Sequence, residues 1–218
     1  MGLFNSVNNL LYGKIVIIPA LLIAFTFHEY AHALVADKLG DKTPRFQGRL
    51  TLNPAAHIDP VGFILAIFFI VGWAKPVQTN PSAYKNRSKD DLKVSLAGPI
   101  ANFLVAIVAS IVLGLYIRFT NGILSQGLSK VLQEMIIQII FINVSIGLFN
   151  LIPVPPLDGF SILRHINPKV FYEFQEKFYQ YQMLILIGII FIGGRVISVL
   201  SGVIGDLLLR LSSMIIYS

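Results

Sequence analysis

The sequence predicts an all-α polytopic membrane protein with short strands at the membrane surface. Three observations carry that expectation. Hydrophobic residues make up 55% of the chain and charged residues 13%, against roughly 45–50% and ~25% in soluble domains. Mean hydropathy is +0.73. Several apolar runs reach the ~20 residues a helix needs to cross a bilayer.

Residues 1–13 are short and mixed and read as an interfacial segment. Lys14 precedes the first apolar run, but no small-residue cleavage site follows it, so the run is expected to stay in the mature protein. The opening "MGLFNS" fits the loose myristoylation pattern through Gly2 and Ser6. One acyl chain adds little to a protein that already spans the membrane. Residues 15–37, "IVIIPALLIAFTFHEYAHALVAD", form the first span. Lys38, Lys42, Arg45 and Arg49 follow it. Such a basic excess marks cytoplasmic loops, which puts the end of this span on the cytoplasmic side.

Residues 61–74, "VGFILAIFFIVGWA", are too short to cross and have basic flanks on both sides, so a re-entrant segment is expected. Residues 45–53 and 73–81 alternate in character and end at Pro or Asn, which predicts two short surface strands. Residues 94–118 cross outward, "TNGILSQG" (120–127) turns, and residues 130–149 return. Three prolines break the chain in "NLIPVPPLDGF" (150–160). Residues 161–181, with Arg164, Lys169 and Lys177, read as a cytoplasmic-surface helix. Residues 182–194 begin another span, and 195–217 form either its second leg or an interfacial helix.

The chain has no cysteine, which excludes disulfides and thiolate metal sites. The net charge of +6 fits membrane topology and gives no reason to expect a nucleic-acid partner. His28, Glu29 and His32 stand inside the first span. Positions four apart on a helix share a face, and His-Glu-x-x-His is the zinc-protease pattern of two ligands and a general base. Two alternatives stay open: histidines hydrogen-bonded within a bundle, or a proton path in a metal or proton transporter. Ionisable groups in a span mark function in either case. A transporter would place further ionisable groups along other spans, and residues 94–117 and 135–149 contain none.

A catalytic zinc needs three protein ligands and one open position. His28 and His32 lie five to nine residues before the end of the span, roughly 7–14 Å deep. Asp158, in "PPLDG", comes just where the third span ends on the same side. It is the expected third ligand, although an Asp in such a loop is ordinarily a turn residue. His57 and His165 fall in surface segments. Pro54 and Pro60 flank His57 and favour a local structural role for it over an auxiliary metal ligand or a substrate-side contact; no function is expected of His165.

"HEYAH" (28–32), "AGPIAN" (97–102) and "NLIPVPPLDG" (150–159) together resemble the site-2 protease family of intramembrane zinc metalloproteases. "LNPAAHIDPVG" (52–62) is similar to its short bacterial branch. The resemblance implies a single membrane protease domain, 1–218. A three-helix metalloprotease core would occupy 15–160 and C-terminal helices 161–218. It implies one Zn2+ per chain on His28, His32 and Asp158, with Glu29 as general base. Asn150 would hold substrate or the oxyanion. Gly98, Pro99 and Asn102 would serve core packing. Expected substrates are single-span membrane proteins or signal-peptide remnants, cut in the cell membrane by a site facing the cytoplasm. Many relatives carry PDZ or CBS domains, and no stretch here is long enough for either. Some have a helix before the metal-binding one, for which residues 1–13 are too short.

Overall fold

The structure, a computed structural model, describes the backbone of residues 2–69, 72–120 and 123–217 and the side chains of that set from 11 to 216. Gly2 and Ser6 of the acylation pattern therefore lie outside the described side chains. Residues 70–71 of the short apolar segment and 121–122 of the outer turn lie outside the described residues. Nine α-helices are described: α1 Gly2–Lys38, α2 Thr43–Phe46, α3 Pro60–Phe69, α4 Arg87–Thr120, α5 Gln126–Asn150, α6 Asp158–Ile166, α7 Pro168–Gln180, α8 Gln182–Gly188 and α9 Gly194–Tyr217. A π-helical turn, Ile189–Gly193, joins the last two. Residues 1–13, expected as a separate interfacial piece, run into α1 without a break from Gly2.

Four stretches are long and apolar enough to span a membrane: Leu11–Lys38, Arg87–Thr120, Gln126–Asn150 and Gln182–Ile216. Helices are the form such segments must take, because lipid offers no partner to a backbone amide. The C-terminal alternatives resolve in favour of one stretch, in which α8, the π turn and α9 continue in one run.

Helices α1, α4 and α5 pack against one another in all three pairs, and α9 packs on α4 and α5. Ala106, Ala109 and Leu113 of α4 meet Ile140 and Val144 of α5 in a buried cluster flanked by Ile204, Leu208 and Leu209 of α9. Small residues let the backbones approach, as helix packing in lipid requires. Ser110 Oγ extends the α4–α9 contact by donating to Leu208 O at 2.5 Å.

The short apolar segment returns to the side it left. Helix α3 has ten residues, about 15 Å. Its beginning and the following extended stretch meet again, with Ile58 and Ala74 forming an isolated antiparallel bridge. Lys75 N–H also donates to His57 O at 2.8 Å. Two glycines permit the close return. A Cβ on Gly62 would stand 2.3 Å from Trp73 O, and one on Gly72 would stand 2.2 Å from Gly62 O. Leu21 and Phe25 of α1 cover Ala66 and Ile67 of α3.

The two expected strands do not form. Thr43–Phe46 within and beside the first is a helical turn with Pro44 as its second residue, and residues 47–53 are turns, bends and irregular backbone. The second is free of helix and turn up to residue 80, but only Ala74 pairs. A period-two pattern specifies extended backbone, whereas a strand also needs a partner of matching length, and the turns at 47–53 remove it. The surface-helix expectation for 161–181 resolves into two pieces, α6 and α7, broken at Asn167–Pro168. Asn167 caps α7 by accepting from Val170 N–H.

A Gly72→Ala substitution tests the packed return. Overpacking of this kind costs about 1–3 kcal/mol, which corresponds to a melting temperature several degrees lower for a chain of this size. An unshifted thermal transition in detergent would show that the return leg does not need the missing Cβ.

Candidate metal centre

The site is built from one turn of α1, the early turns of α4, the end of α5 and the start of α6. His28 and His32 stand one turn apart on the buried face of α1. Their rings meet edge to face with centroids 4.7 Å apart. Asp158 arrives from the proline-broken connection after α5 and opens α6. Gly159 makes that entry possible, since a Cβ there would stand 2.3 Å from Leu151 O and 2.4 Å from Ile152 O.

The three ligand atoms form a near-equilateral triangle. His28 Nε2 and His32 Nε2 are 3.1 Å apart. Asp158 Oδ2 lies 3.2 Å from the first and 3.3 Å from the second. Tetrahedral zinc with bonds of ~2.05 Å separates its ligands by about 3.3 Å. The edges of the triangle are thus of the length that tetrahedral zinc would require.

The surroundings settle which atoms carry protons. His28 Nδ1 contacts Asn102 Oδ1 at 2.7 Å. Asn102 Nδ2 donates to Ala24 O at 3.1 Å and to Asn143 Oδ1 at 3.0 Å, which fixes its oxygen toward the imidazole. Asn143 Nδ2 in turn donates to Ile139 O at 2.8 Å. His32 Nδ1 donates to Val94 O at 2.7 Å. Both histidines therefore hold their proton on Nδ1 and aim a lone pair from Nε2 inward. Asp158 Oδ2 is buried with no hydrogen-bond partner. Three electron-pair donors converge with no donor hydrogen among them, and a cation is what such a set accepts.

Helix α4 presses onto the triangle at Gly98. A Cβ there would stand 2.4 Å from His32 Nε2 and 2.6 Å from His28 Cε1. The Gly-Pro-x-x-Asn stretch, expected to serve packing alone, thus touches the candidate ligands twice: Gly98 makes room for the rings and Asn102 orients one of them. The sequence displayed the motif, but the facing of α4 against α1 that explains it exists only in the fold.

Glu29 is buried beside the ligands. Its Oε2 accepts from Val77 N–H at 2.8 Å and lies 3.9 Å from Arg49 Nη2. Arg49, which sequence reasoning treated only as a topology signal, is itself buried. It donates from Nη1 to Ala56 O at 2.7 Å and from Nη2 to Lys75 O. It thereby ties the loop before α3 to the return leg after it. His57 lies in this knot, fully buried, with Nε2 at 2.7 Å from Thr51 O. Burial holds its imidazole below the usual histidine range. It is a structural residue in the loop, as its flanking prolines suggest.

A cavity of about 380 Å³ is walled by His28, Glu29, His32, Asn150 and Asp158, with Gly72–Val77 residues along one side. Asn150 uses one of its two amide hydrogens on Ile146 O, 3.0 Å away. Of the sequence-predicted site residues, all five reach this cavity, while His57 and His165 do not. His28, His32 and Asp158 are the metal-capable group found among the described residues.

Gly98→Ala places a methyl against both imidazoles. It should weaken zinc retention by about tenfold or more, in the range of disturbed outer-shell contacts, while helix content by circular dichroism stays unchanged. Retention at the parent level would refute the close fit of α4.

Comparison with known proteins places this geometry. Peptidase family M50 matches residues 16–123 and 114–193, which include both histidines, the Gly-Pro-x-x-Asn stretch and Asp158. The chain is 40% identical over 152 residues to the "Putative zinc metalloprotease YwhC" of Bacillus subtilis, covering 70% of this chain and 69% of that protein. It is 32% identical over 172 residues to the "Putative zinc metalloprotease Rip2" of Mycolicibacterium smegmatis, covering 71% of this chain and 59% of that one. The "Zinc metalloprotease MJ0392" of Methanocaldococcus jannaschii is 25% identical over 165 residues, covering 76% of this chain and 38% of its own length. No solved structure gives a significant match. A helical membrane chain with a zinc-shaped triangle beside a buried glutamate, matched over most of its length, belongs to peptidase family M50, the site-2 protease family of zinc metalloproteases.

Proposed function

We propose that this protein hydrolyses peptide bonds of membrane-spanning substrates, with His28, His32 and Asp158 holding zinc and Glu29 acting as general base. The observation that supports it most is the triangle of 3.1–3.3 Å edges in a cavity that Glu29 also lines. When bound, the ion supplies a water acidified to a pKa near ~7 and an electrophile for the scissile carbonyl. Glu29 Oε2 is anchored by Val77 N–H, which leaves Oε1 to take the proton of the attacking water and return it to the leaving amine. Asn150, in the cavity wall, has a second amide hydrogen for the developing oxyanion. Asp158 brings a negative charge that offsets part of the ion's charge where water is scarce.

A membrane helix presents no free carbonyl, so the substrate must unwind before it can react. Pairing with extended backbone would satisfy the released groups. Of the two segments expected to offer an edge, residues 73–80 are free of helix and turn, and they run past Glu29. Substrates of this kind include single-span regulators and signal-peptide remnants. Lys38 ends α1 and Lys42 and Arg45 follow it, and their charge supports a site that opens to the cytoplasm. The transporter alternative gains no support, because residues 94–117 of α4 and 135–149 of α5 carry no ionisable side chain.

Glu29→Gln should keep its zinc and lose about 10²–10⁴-fold in cleavage of a membrane substrate, the usual worth of a general base. Parent-level cleavage would remove Glu29 from the mechanism. Asp158→Ala should lose zinc affinity by more than the about 10–100-fold typical of an outer-shell partner. The cysteine-free chain also allows single-cysteine labelling. Lys42→Cys should react with an impermeant maleimide only from the cytoplasmic face, and Ser125→Cys only from the opposite one. Reversed labelling would overturn the orientation.

A further inference from the structure

Helix α6 carries Asp158 at its first position and ends on Arg164 and His165. Six residues of helix place the second group about 9 Å from the first. Both side chains converge on one carboxylate of another helix. Arg164 Nη2 donates to Asp91 Oδ2, and His165 Nε2 donates to the same oxygen at 2.8 Å. His165 Nδ1 is hydrogen-bonded to Ser88 Oγ at 3.1 Å. Asp91 is buried, 7% exposed, although it lies in the first turns of α4. Among the described residues, the side-chain hydrogen bonds between α4 and α6 all belong to this cluster.

The position of Asp91 on α4 gives the cluster its meaning. Val94, one turn further on, supplies the carbonyl that orients His32. The same end of α4 thus aims one candidate ligand directly and grips the helix that carries another. On its other side α6 rests on α7 through aromatic packing, with the rings of Phe160 and Phe171 4.7 Å apart. That contact is between aromatic rings, with the Arg164 guanidinium over Phe171, whereas a two-donor clamp on one carboxylate oxygen is directional. Among the described residues no other side-chain hydrogen bond ties α6 to α4, and a shift of α6 moves Asp158 with it.

We propose that Asp91 is a positioning residue of the metal centre: by clamping Arg164 and His165 it sets the register of α6, and so the point at which the Asp158 carboxylate meets the two imidazoles. This rests on the zinc reading of His28, His32 and Asp158. It assigns a task to His165, which the hydrolytic chemistry does not use, and to a buried carboxylate on the helix that already orients both imidazoles.

Co2+ binding to the full-length protein in detergent provides the test, because its visible bands report the number and type of ligands without any substrate. Asp91→Asn should weaken Co2+ by about tenfold or more and shift the bands toward those of Asp158→Ala, with the melting temperature within about 3 °C of the parent. Asp91→Glu should recover part of the affinity and the spectrum. The double variant Arg164→Ala, His165→Ala asks the same question from the more exposed side, and it decides the matter if Asp91→Asn melts early. Parent-like affinity and bands in the double variant would overturn the proposal. If His28→Ala and Asp158→Ala also bind Co2+ as the parent does, the metal centre itself is misassigned; if they lose it while the Asp91 and double variants keep it, only the clamp falls.

Discussion

The constraint on which the structure depends is the meeting of three lone pairs in a low-dielectric place. Two imidazole nitrogens and a carboxylate oxygen lie within 3.3 Å of one another, and both histidine protons point outward to Asn102 and Val94. Such an arrangement calls for positive charge at its centre, which a metal ion would supply. Much of the surrounding fold holds that arrangement in place. Asn143 fixes Asn102, which fixes His28. Gly98 lets α4 approach closely enough to do so.

Bringing in the carboxylate requires irregular backbone at the end of α5, and irregular backbone near a membrane must be buried in protein or line a wet cavity. Both conditions hold here. Val154 and Leu157 of the connection are buried, and Pro156, Leu157 and Asp158 line the cavity. The prolines stop α5, and Gly159 admits the new helix against the last carbonyls of that stop. Asp158 thus enters on a buried connection that also lines the cavity.

Glu29, the proposed general base, is held by a second irregular segment. The re-entrant α3 and its extended return bring Val77 N–H to Glu29. Arg49 and Lys75 fasten that return to the loop before α3. A buried guanidinium near a buried carboxylate offsets its charge without forming a close ion pair, since the separation is 3.9 Å. Glu29 therefore remains an acceptor placed by one backbone amide, which suits a group that must accept and release a proton.

The spans, the re-entrant segment and the pairing of His28 with His32 were legible in the sequence, because each follows from local regularities: hydropathy over a window, a run too short to cross, and a four-residue spacing. Asp158 was legible as well, through its place at the end of a returning span. The expected strands at 45–53 and 73–81 failed, because alternation specifies extended backbone and not a partner. The tasks of Asn102, Gly98 and Arg49, and the convergence of Arg164 and His165 on Asp91, were not legible. They depend on which face α4 turns toward α1 and α6, and an all-round apolar helix carries no periodic signal to say so. The sequence by itself determined the chemistry available and the span that carries it. Only the tertiary structure decided which neighbours orient it, because hydrogen bonds between residues 41 to 78 positions apart are set by helix facing and close approach rather than by any local pattern.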